Sequence, residues 1–233
     1  TMQAAMQAKM EHLAMMSRGL AHDLKNLITP VSSFLVHTDS QFPVGTPERE
    51  VQVAATRSIR VMTEYVREAL FFSEKMTPRF EPLQLGRIFQ EVKALVAQRA
   101  AERDVKFLGS TEIGKEVWAD AVLVQRMLVN MASNAIDASS AGQTVALSAL
   151  PGRKGWLALR VSDQGEGIPP ENLEHIFDPY FTTKKYGDDV RGFGLGLTIC
   201  QKIVHLHCGK ITVESRLGQG TTIMIELPNT QPA

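Results

Sequence analysis

The chain has 233 residues, 44% of them hydrophobic and 21% charged, which suits one or two folded domains. Its 25 Lys and Arg offset 25 Asp and Glu without a stripe of either sign, so neither a nucleic-acid surface nor a membrane-contacting patch is expected in this segment. Two cysteines, Cys200 and Cys208, do not make a secreted disulfide framework, and no apolar run approaches the ~20 residues that cross a bilayer. A cytoplasmic setting is expected. The sequence begins inside a helical pattern, which points to a fragment with any membrane anchor lying upstream.

The first element is a long helix. Apolar residues recur in steps of three and four at Met6, Met10, Leu13, Leu20, Leu24, Leu27, Val31 and Phe34, with Ser17 in the one gap, which is a heptad seam. Pro30 predicts a kink or local loosening about two turns after His22. The pattern ends in a Pro/Gly turn over 39–47, where Thr46 reads as an N-cap and Pro47 as the first helical residue. A second helix follows from about 47 to about 75, with Ala55, Ser58, Met62, Tyr65, Ala69 and Phe72 on one stripe. Two helices cannot bury both apolar faces alone. Pairing two such hairpins into a four-helix bundle would, so a homodimer is expected.

His22 stands between Leu20 and Leu24 of that seam, so it points away from the core and toward water. A histidine needed only for packing would not sit there, although a solvated surface histidine would. Its neighbours carry more information. A neutral imidazole is a good nucleophile toward phosphorus, and the carboxylate of Asp23 can hold its tautomer and accept the ring proton. Asn26 lies one turn further along the same face.

Residues 77–84, punctuated by Pro78 and Pro82, read as a linker between a first domain over 1–76 and a second over 85–233. The second domain opens with a helix near 85–103, a strand near 105–109, and a helix to about 139 with Asp120 as its N-cap. Strands are predicted at 144–150, 156–161, 210–214 and 221–227, with a helix near 194–207. Helices and strands that do not alternate strictly imply a mixed sheet with helices on one face, and an α+β chain as a whole.

The second domain holds four further motifs. Asn130 and Asn134 are four apart on one helical face. Asp163 follows a strand and opens Asp-x-Gly-x-Gly with Gly165 and Gly167. Residues 176–185, ending in Lys184 and Lys185, precede Gly192, Gly194, Leu195, Gly196 and Leu197, where a helix begins; amides at such a helix start favour phosphate. Gly218-Gln219-Gly220-Thr221 then enters the last strand. Cys200, His205, His207 and Cys208 lack the paired spacing of a metal site.

In this order, from residue 22 to about 222, the motifs resemble those of sensor histidine kinases, which carry His-Glu/Asp-x-x-Asn/Thr ahead of an ATP site. The resemblance implies the Bergerat-type ATP-binding fold shared with DNA gyrase, Hsp90 and MutL, as an α/β sandwich after a dimerisation and phosphotransfer hairpin. It implies autophosphorylation of His22 by ATP, with Asp23 and Asn26 as its catalytic companions, then transfer to an aspartate on a response-regulator receiver domain. Dephosphorylation of that regulator is expected too, because the Asn26 side-chain amide, one turn beyond His22 on the exposed face, can hold a water in line with the phosphoaspartate; the alternative is a polar surface asparagine with no chemical role.

Residue by residue, the resemblance gives Asn134 to Mg²⁺ and Asp163 to the adenine amino group. Gly165 and Gly167 would let the backbone approach the base. Asn130, Lys184, Gly192, Gly194, Leu195, Gly196, Leu197 and Thr221 complete the ATP set, beneath a lid over 178–191. Leu27 departs from the family, which often has proline there. Asn-Ala-Ile-Asp-Ala at 134–138 looks like the nitrogen-regulation branch. A degenerate kinase serving as a dimeric ATP-binding scaffold also fits. A hydrolytic ATPase of the gyrase type fits less well, because Asn130 replaces the glutamate that activates water.

Overall fold

Thirteen elements are laid down on the described residues of a computed structural model, namely 2–111, 113–114, 116–183 and 194–229, with side chains described from Gly19 onward. They fall in two compact units, one helical up to Lys75 and one α/β over Met76–Phe181 and from Gly196 onward.

The helical unit contains α1 (Met2–His37) and α2 (Pro47–Ser73). Thr46 caps α2 by accepting the Arg49 N–H at 3.3 Å, and Pro47 fills the first turn, where its missing N–H costs nothing. At the other side of the turn Arg49 donates to Asp39 Oδ1 (2.9 Å) and Gln52 Oε1 (2.8 Å), while Gln52 donates to the Leu35 carbonyl (3.1 Å). These bonds fasten the end of α1 to the start of α2. The expected interruption at Pro30 does not end α1, which continues to His37. Proline brings no N–H to the carbonyl four residues back, so the Asn26 carbonyl loses its helical donor.

The buried row on α1 differs from the predicted seam. Ala21, Ile28 and Leu35 are buried, whereas Leu20, Leu27 and Phe34, each one residue earlier, are 63%, 69% and 65% exposed. On α2 the buried residues are Gln52, Val66, Ala69 and Phe72, while Ser58 and Met62 of the predicted stripe are exposed. A single partner helix covers only a narrow stripe, so one apolar row goes inward and the adjacent row, about 100° around, stays in water.

The α/β unit is a five-stranded sheet in the order β2 (Lys106–Thr111), β4 (Thr144–Pro151), β5 (Trp156–Ser162), β7 (Gly220–Pro228), β6 (Lys210–Arg216). β2 runs parallel to β4 and the other pairs are antiparallel, so the sheet is mixed as expected. Three helices pack against it: α3 (Leu85–Glu102), α4 (Ala121–Ala138) and α6 (Gly196–Leu206). Alternate strand residues enter that interface, including Val145, Leu147 and Ala149, Leu157, Leu159 and Val161, and Ile223, Ile225 and Leu227. They meet Met127, Leu128, Met131, Ile136, Ile199 and Ile203, all essentially inaccessible.

Two strands and a short helix escaped the sequence reading. β1 (Glu81–Leu83) pairs antiparallel with β3 (Val117–Ala119), and α5 spans Pro170–Leu173. The predicted linker over 77–84 is therefore partly strand. It is held further by the Arg79 N–H, which donates to Asp120 Oδ2 at 2.8 Å. Three residues are too few to show an alternation, which is why β1 and β3 leave no periodic signal.

Candidate functional site

On α1, His22 has its side chain 69% exposed, with Asp23 beside it and Asn26 one turn on. Both neighbours address the same ring nitrogen. Asp23 Oδ1 lies 3.7 Å from His22 Nδ1, and Asn26 Nδ2 lies 3.4 Å from it. They ask for opposite tautomers: an N–H at Nδ1 suits the carboxylate, whereas a bare Nδ1 suits the amide donor. Only the first leaves the lone pair on Nε2, the nitrogen that faces away from both.

The α/β unit builds its site around α4. Asp120 caps that helix, with Oδ1 accepting the Leu123 N–H at 3.0 Å. The Asp120 N–H in turn donates to His207 Nε2 at 3.1 Å, and His207 Nδ1 donates to the Ile203 carbonyl at 2.8 Å. His207 is thus a buried histidine with both ring nitrogens engaged. Cys200 is buried and gives its thiol to the Met127 carbonyl, while Cys208 is exposed.

Further along α4, Asn130 donates through Nδ2 to the Gly196 carbonyl at 3.3 Å and so docks the start of α6. A Cβ on Gly196 would stand 3.8 Å from Asn134 Nδ2, so both amides border the same helix start. The Asn134 side chain has no hydrogen bond to another described residue. Its carbonyl oxygen remains free for a hard cation. The first amides of α6, from Gly196 and Leu197 on, point out of the helix start as in any helix and are suited to an anion. Thr198 fixes the same turn by donating to the Phe177 carbonyl at 3.0 Å. Gly194 has φ +71° and Leu195 is buried. Lys184, Lys185 and Gly192, with most of the predicted lid, lie outside the described residues.

Asp163 follows β5, and its Oδ1 accepts the N–H of Gly165 at 2.9 Å and of Thr221 at 3.1 Å. Oδ2 is left without a partner among the described residues. Burial raises the carboxyl above its ordinary value, an effect the two amides oppose. The glycines answer to the protein itself. A Cβ on Gly165 would collide with the Ala138 carbonyl at the end of α4, and one on Gly167, at φ +71°, with the Arg216 carbonyl. Their requirement comes from the protein's own backbone, a reason that the expected approach to a base did not include. The Glu166 N–H donates to Ala138 O at 3.0 Å, tying the Asp163 loop to α4.

Behind that tie is an ion pair no motif indicated. Asp137, with a side chain only 3% exposed, receives Arg99 Nε at 2.9 Å and Nη2 at 3.0 Å, with Arg103 Nε at 3.5 Å. Ser215 is the other residue missed. It contacts Thr221 Oγ1 at 2.8 Å and receives the Ile168 N–H at 2.8 Å.

Comparison with known proteins gives the chain its family. Residues 119–231 match the family described as histidine kinase-, DNA gyrase B-, and HSP90-like ATPase. The solved catalytic domain of histidine kinase ThkA is 31% identical, with a TM-score of 0.57 over 65% of this chain and 96% of that one. The chain belongs to the sensor histidine kinase family. Sensor histidine kinase ZraS of Salmonella typhimurium is 30% identical over 96% of this kinase chain, which spans 48% of that protein's length. The complex of ThkA with response regulator protein TrrA superposes with a TM-score of 0.68, at 26% identity, over 96% of the kinase chain and 64% of the solved one. No helix among the described residues is long and apolar enough to cross a membrane.

Proposed function

We propose that the chain transfers the γ-phosphoryl group of ATP to Nε2 of His22 and then passes it to an aspartate on a response-regulator receiver domain. The observation that carries this is His22 itself, an exposed imidazole whose Nδ1 is flanked by a carboxylate, in a chain that also holds the ATPase fold. With Nδ1–H directed at Asp23, Nε2 is the nucleophile. As its bond to phosphorus forms and the bond to the ADP oxygen breaks, the imidazolium gives its Nδ1 proton toward Asp23.

The ATP unit supplies binding and charge. Asp163 Oδ2 accepts the adenine amino group, and the amides opening α6 face phosphate. Asn134 fits Mg²⁺ as a single hard oxygen donor with no competing bond, leaving the remaining ligands to phosphate and water. That ion would neutralise phosphate charge.

Three further readings belong to the same proposal. Leu20, Leu27, Val31 and Phe34, an apolar row uncovered in one chain, would meet a second copy in a homodimeric bundle. Residues 1–76 are the dimerisation and phosphotransfer domain and the α/β unit the catalytic one. Asn26 orients water on the phosphoaspartate of a docked regulator. ThkA is solved with a response regulator, which supports a receiver domain as partner here. Gyrase-type hydrolysis is disfavoured because Asn130 is no base and its amide is occupied by the Gly196 carbonyl.

The test is labelling with γ-labelled ATP. The parent chain should acquire acid-labile, base-stable label, and His22→Gln should abolish it while ADP binding persists. Label that survives in His22→Gln removes His22 as acceptor; a parent that binds ADP and never labels is a scaffold.

A further inference from the structure

One flank of α4 borders the proposed nucleotide site along its length. Asn134, Asn130 and Arg126 follow one another at intervals of four residues, so they lie on one face of the helix. All three are half-buried, while Met127 and Met131 beside them are fully inside the core. Arg126 is the one basic residue of α4, and no motif indicated it.

The surroundings of α4 fix the direction in which a nucleotide would lie. At its C-terminal end the Ala138 carbonyl receives the Glu166 N–H at 3.0 Å and abuts Gly165, so the Asp163 loop, and with it the base, belongs at that end. Nearer the N-terminus, Asn130 Nδ2 donates to the Gly196 carbonyl at 3.3 Å, and a Cβ on Gly196 would stand 3.8 Å from Asn134 Nδ2. The opening amides of α6, which suit phosphate, therefore stand beside Asn130 and Asn134. From there α6 runs antiparallel to α4, since the Cys200 thiol reaches the Met127 carbonyl at 3.5 Å. Ala138 and Asn130 are about 12 Å apart along the helix axis.

A nucleotide with its base at Ala138 and its inner phosphates at Asn130 extends toward the N-terminus of α4. The next residue on that flank is Arg126, about 6 Å beyond Asn130 along the axis and within the reach of an arginine. A terminal phosphate is what ATP has and ADP lacks. Asn130, Asn134 and the α6 amides are neutral, so on α4 the single cation available to that added charge is Arg126. A guanidinium offers two parallel N–H donors to phosphate and stays charged at every working pH. A merely solvated arginine could share this spacing, but it would be indifferent to which nucleotide is bound.

We propose that Arg126 binds the γ-phosphoryl group of ATP. It holds that group while the bond to the ADP oxygen breaks and the bond to Nε2 of His22 forms, and it has nothing to hold in the ADP that remains. The inference rests on the reading of Asp163 as the adenine acceptor and of the α6 start as the phosphate site.

Calorimetric titration of the full chain with Mg²⁺ and either ADP or AMPPNP, the analogue with an imido bridge to its γ-phosphorus, tests it. In Arg126→Gln the affinity for AMPPNP should fall about ten- to a hundredfold, the value of one charged hydrogen bond, with that for ADP at the parental level. Arg126→Met should behave alike, and Arg126→Lys, which keeps the charge without the fork, should recover part of the loss. Gln, Met and Lys match Arg in helix propensity, so α4 itself is not weakened, and ADP binding reports a folded site in each variant. Equal losses for the two nucleotides in the neutral variants overturn the proposal, because they mean a disturbed helix. No loss for either nucleotide overturns it too, because it means a solvated arginine. A parent that binds neither ADP nor AMPPNP refutes the underlying assignment of the ATP site instead.

Discussion

Replacing Arg99 with alanine probes the tie between the Asp163 loop and α4. Asp137 is 3% exposed at its side chain and takes two parallel bonds from Arg99, at 2.9 and 3.0 Å. Removing one partner of a buried pair typically costs about 3–5 kcal/mol, because the remaining charge stays desolvated. Here Arg103 remains, with Nε 3.5 Å from Asp137 Oδ1 and Nη1 donating to the Asp137 carbonyl at 3.3 Å, so roughly 2–3 kcal/mol is the expected loss. For a domain of this size that corresponds to a fall in Tm of about 5–10 °C. ADP affinity should fall too, since the Ala138 carbonyl next to Asp137 receives the Glu166 N–H and abuts Gly165. Differential scanning calorimetry with and without ADP measures both effects, and the exchanged pair Arg99→Asp/Asp137→Arg should recover part of each. A Tm within about 2 °C of the parent would show that Asp137 is already compensated by Arg103 and that Arg99 does not anchor the loop.

The remaining predictions address the carboxylate, the exposed row and the amide. Burial raises the Asp163 carboxyl, and with Oδ1 filled by two amides a proton would fall on Oδ2, weakening the bond proposed there to the adenine amino group. ADP affinity should therefore be full above that raised value and fall, approaching tenfold per pH unit, while ordinary carboxylates near about 3.9 are still ionised. The unliganded fold responds with opposite sign, gaining stability as Asp163 protonates; an ADP affinity that stays level down to the ordinary carboxylate range contradicts this. Leu27→Glu/Phe34→Glu should convert a dimer into a monomer by light scattering. Four large apolar side chains per dimer at about 1.5–3 kcal/mol each raise Kd by at least about a thousandfold, so a variant still dimeric at micromolar concentration defeats the interface. Asn26→Ala should keep most labelling of His22 and lose dephosphorylation of the regulator. Regulator phosphate that decays as fast with the variant as with the parent removes Asn26 from that role.

Much of the α/β unit was legible because its signals are local. Asp120 three residues before Leu123, and the runs at 144–150 and 156–161, announce a capped helix and half-buried strands without any knowledge of neighbours. The hairpin shows where locality ends. Leu20, Leu27 and Phe34 are as good a heptad row as Ala21, Ile28 and Leu35 on hydrophobicity, indeed better, yet the single chain buries the row with the smaller alanine. Sequence periodicity states how wide the apolar face is. It does not state which part of a wide face meets the partner within the chain and which part is left over. Likewise Pro82 in the linker argued for irregular backbone, but an edge strand tolerates a proline, and β1 has only β3 beside it.

The site divides in a related way. His22, Asn134 and Asp163 are legible as residue types at characteristic spacings. The hydrogen bonds around Asp163 are legible only through pairing. Ser215 and Thr221 are six apart across the turn at 217–219, and nothing in their identities distinguishes Ser215 from any surface serine until the strands are placed in register. Once they are, Ser215 Oγ is found to receive the Ile168 N–H and to touch both Thr221 Oγ1 and the Gly220 carbonyl. At His22 the neighbours are close in sequence, and Asp23 and Asn26 make opposite demands on Nδ1. A small displacement of Asn26 relative to Asp23 would therefore change the nucleophilicity of Nε2 without moving the histidine.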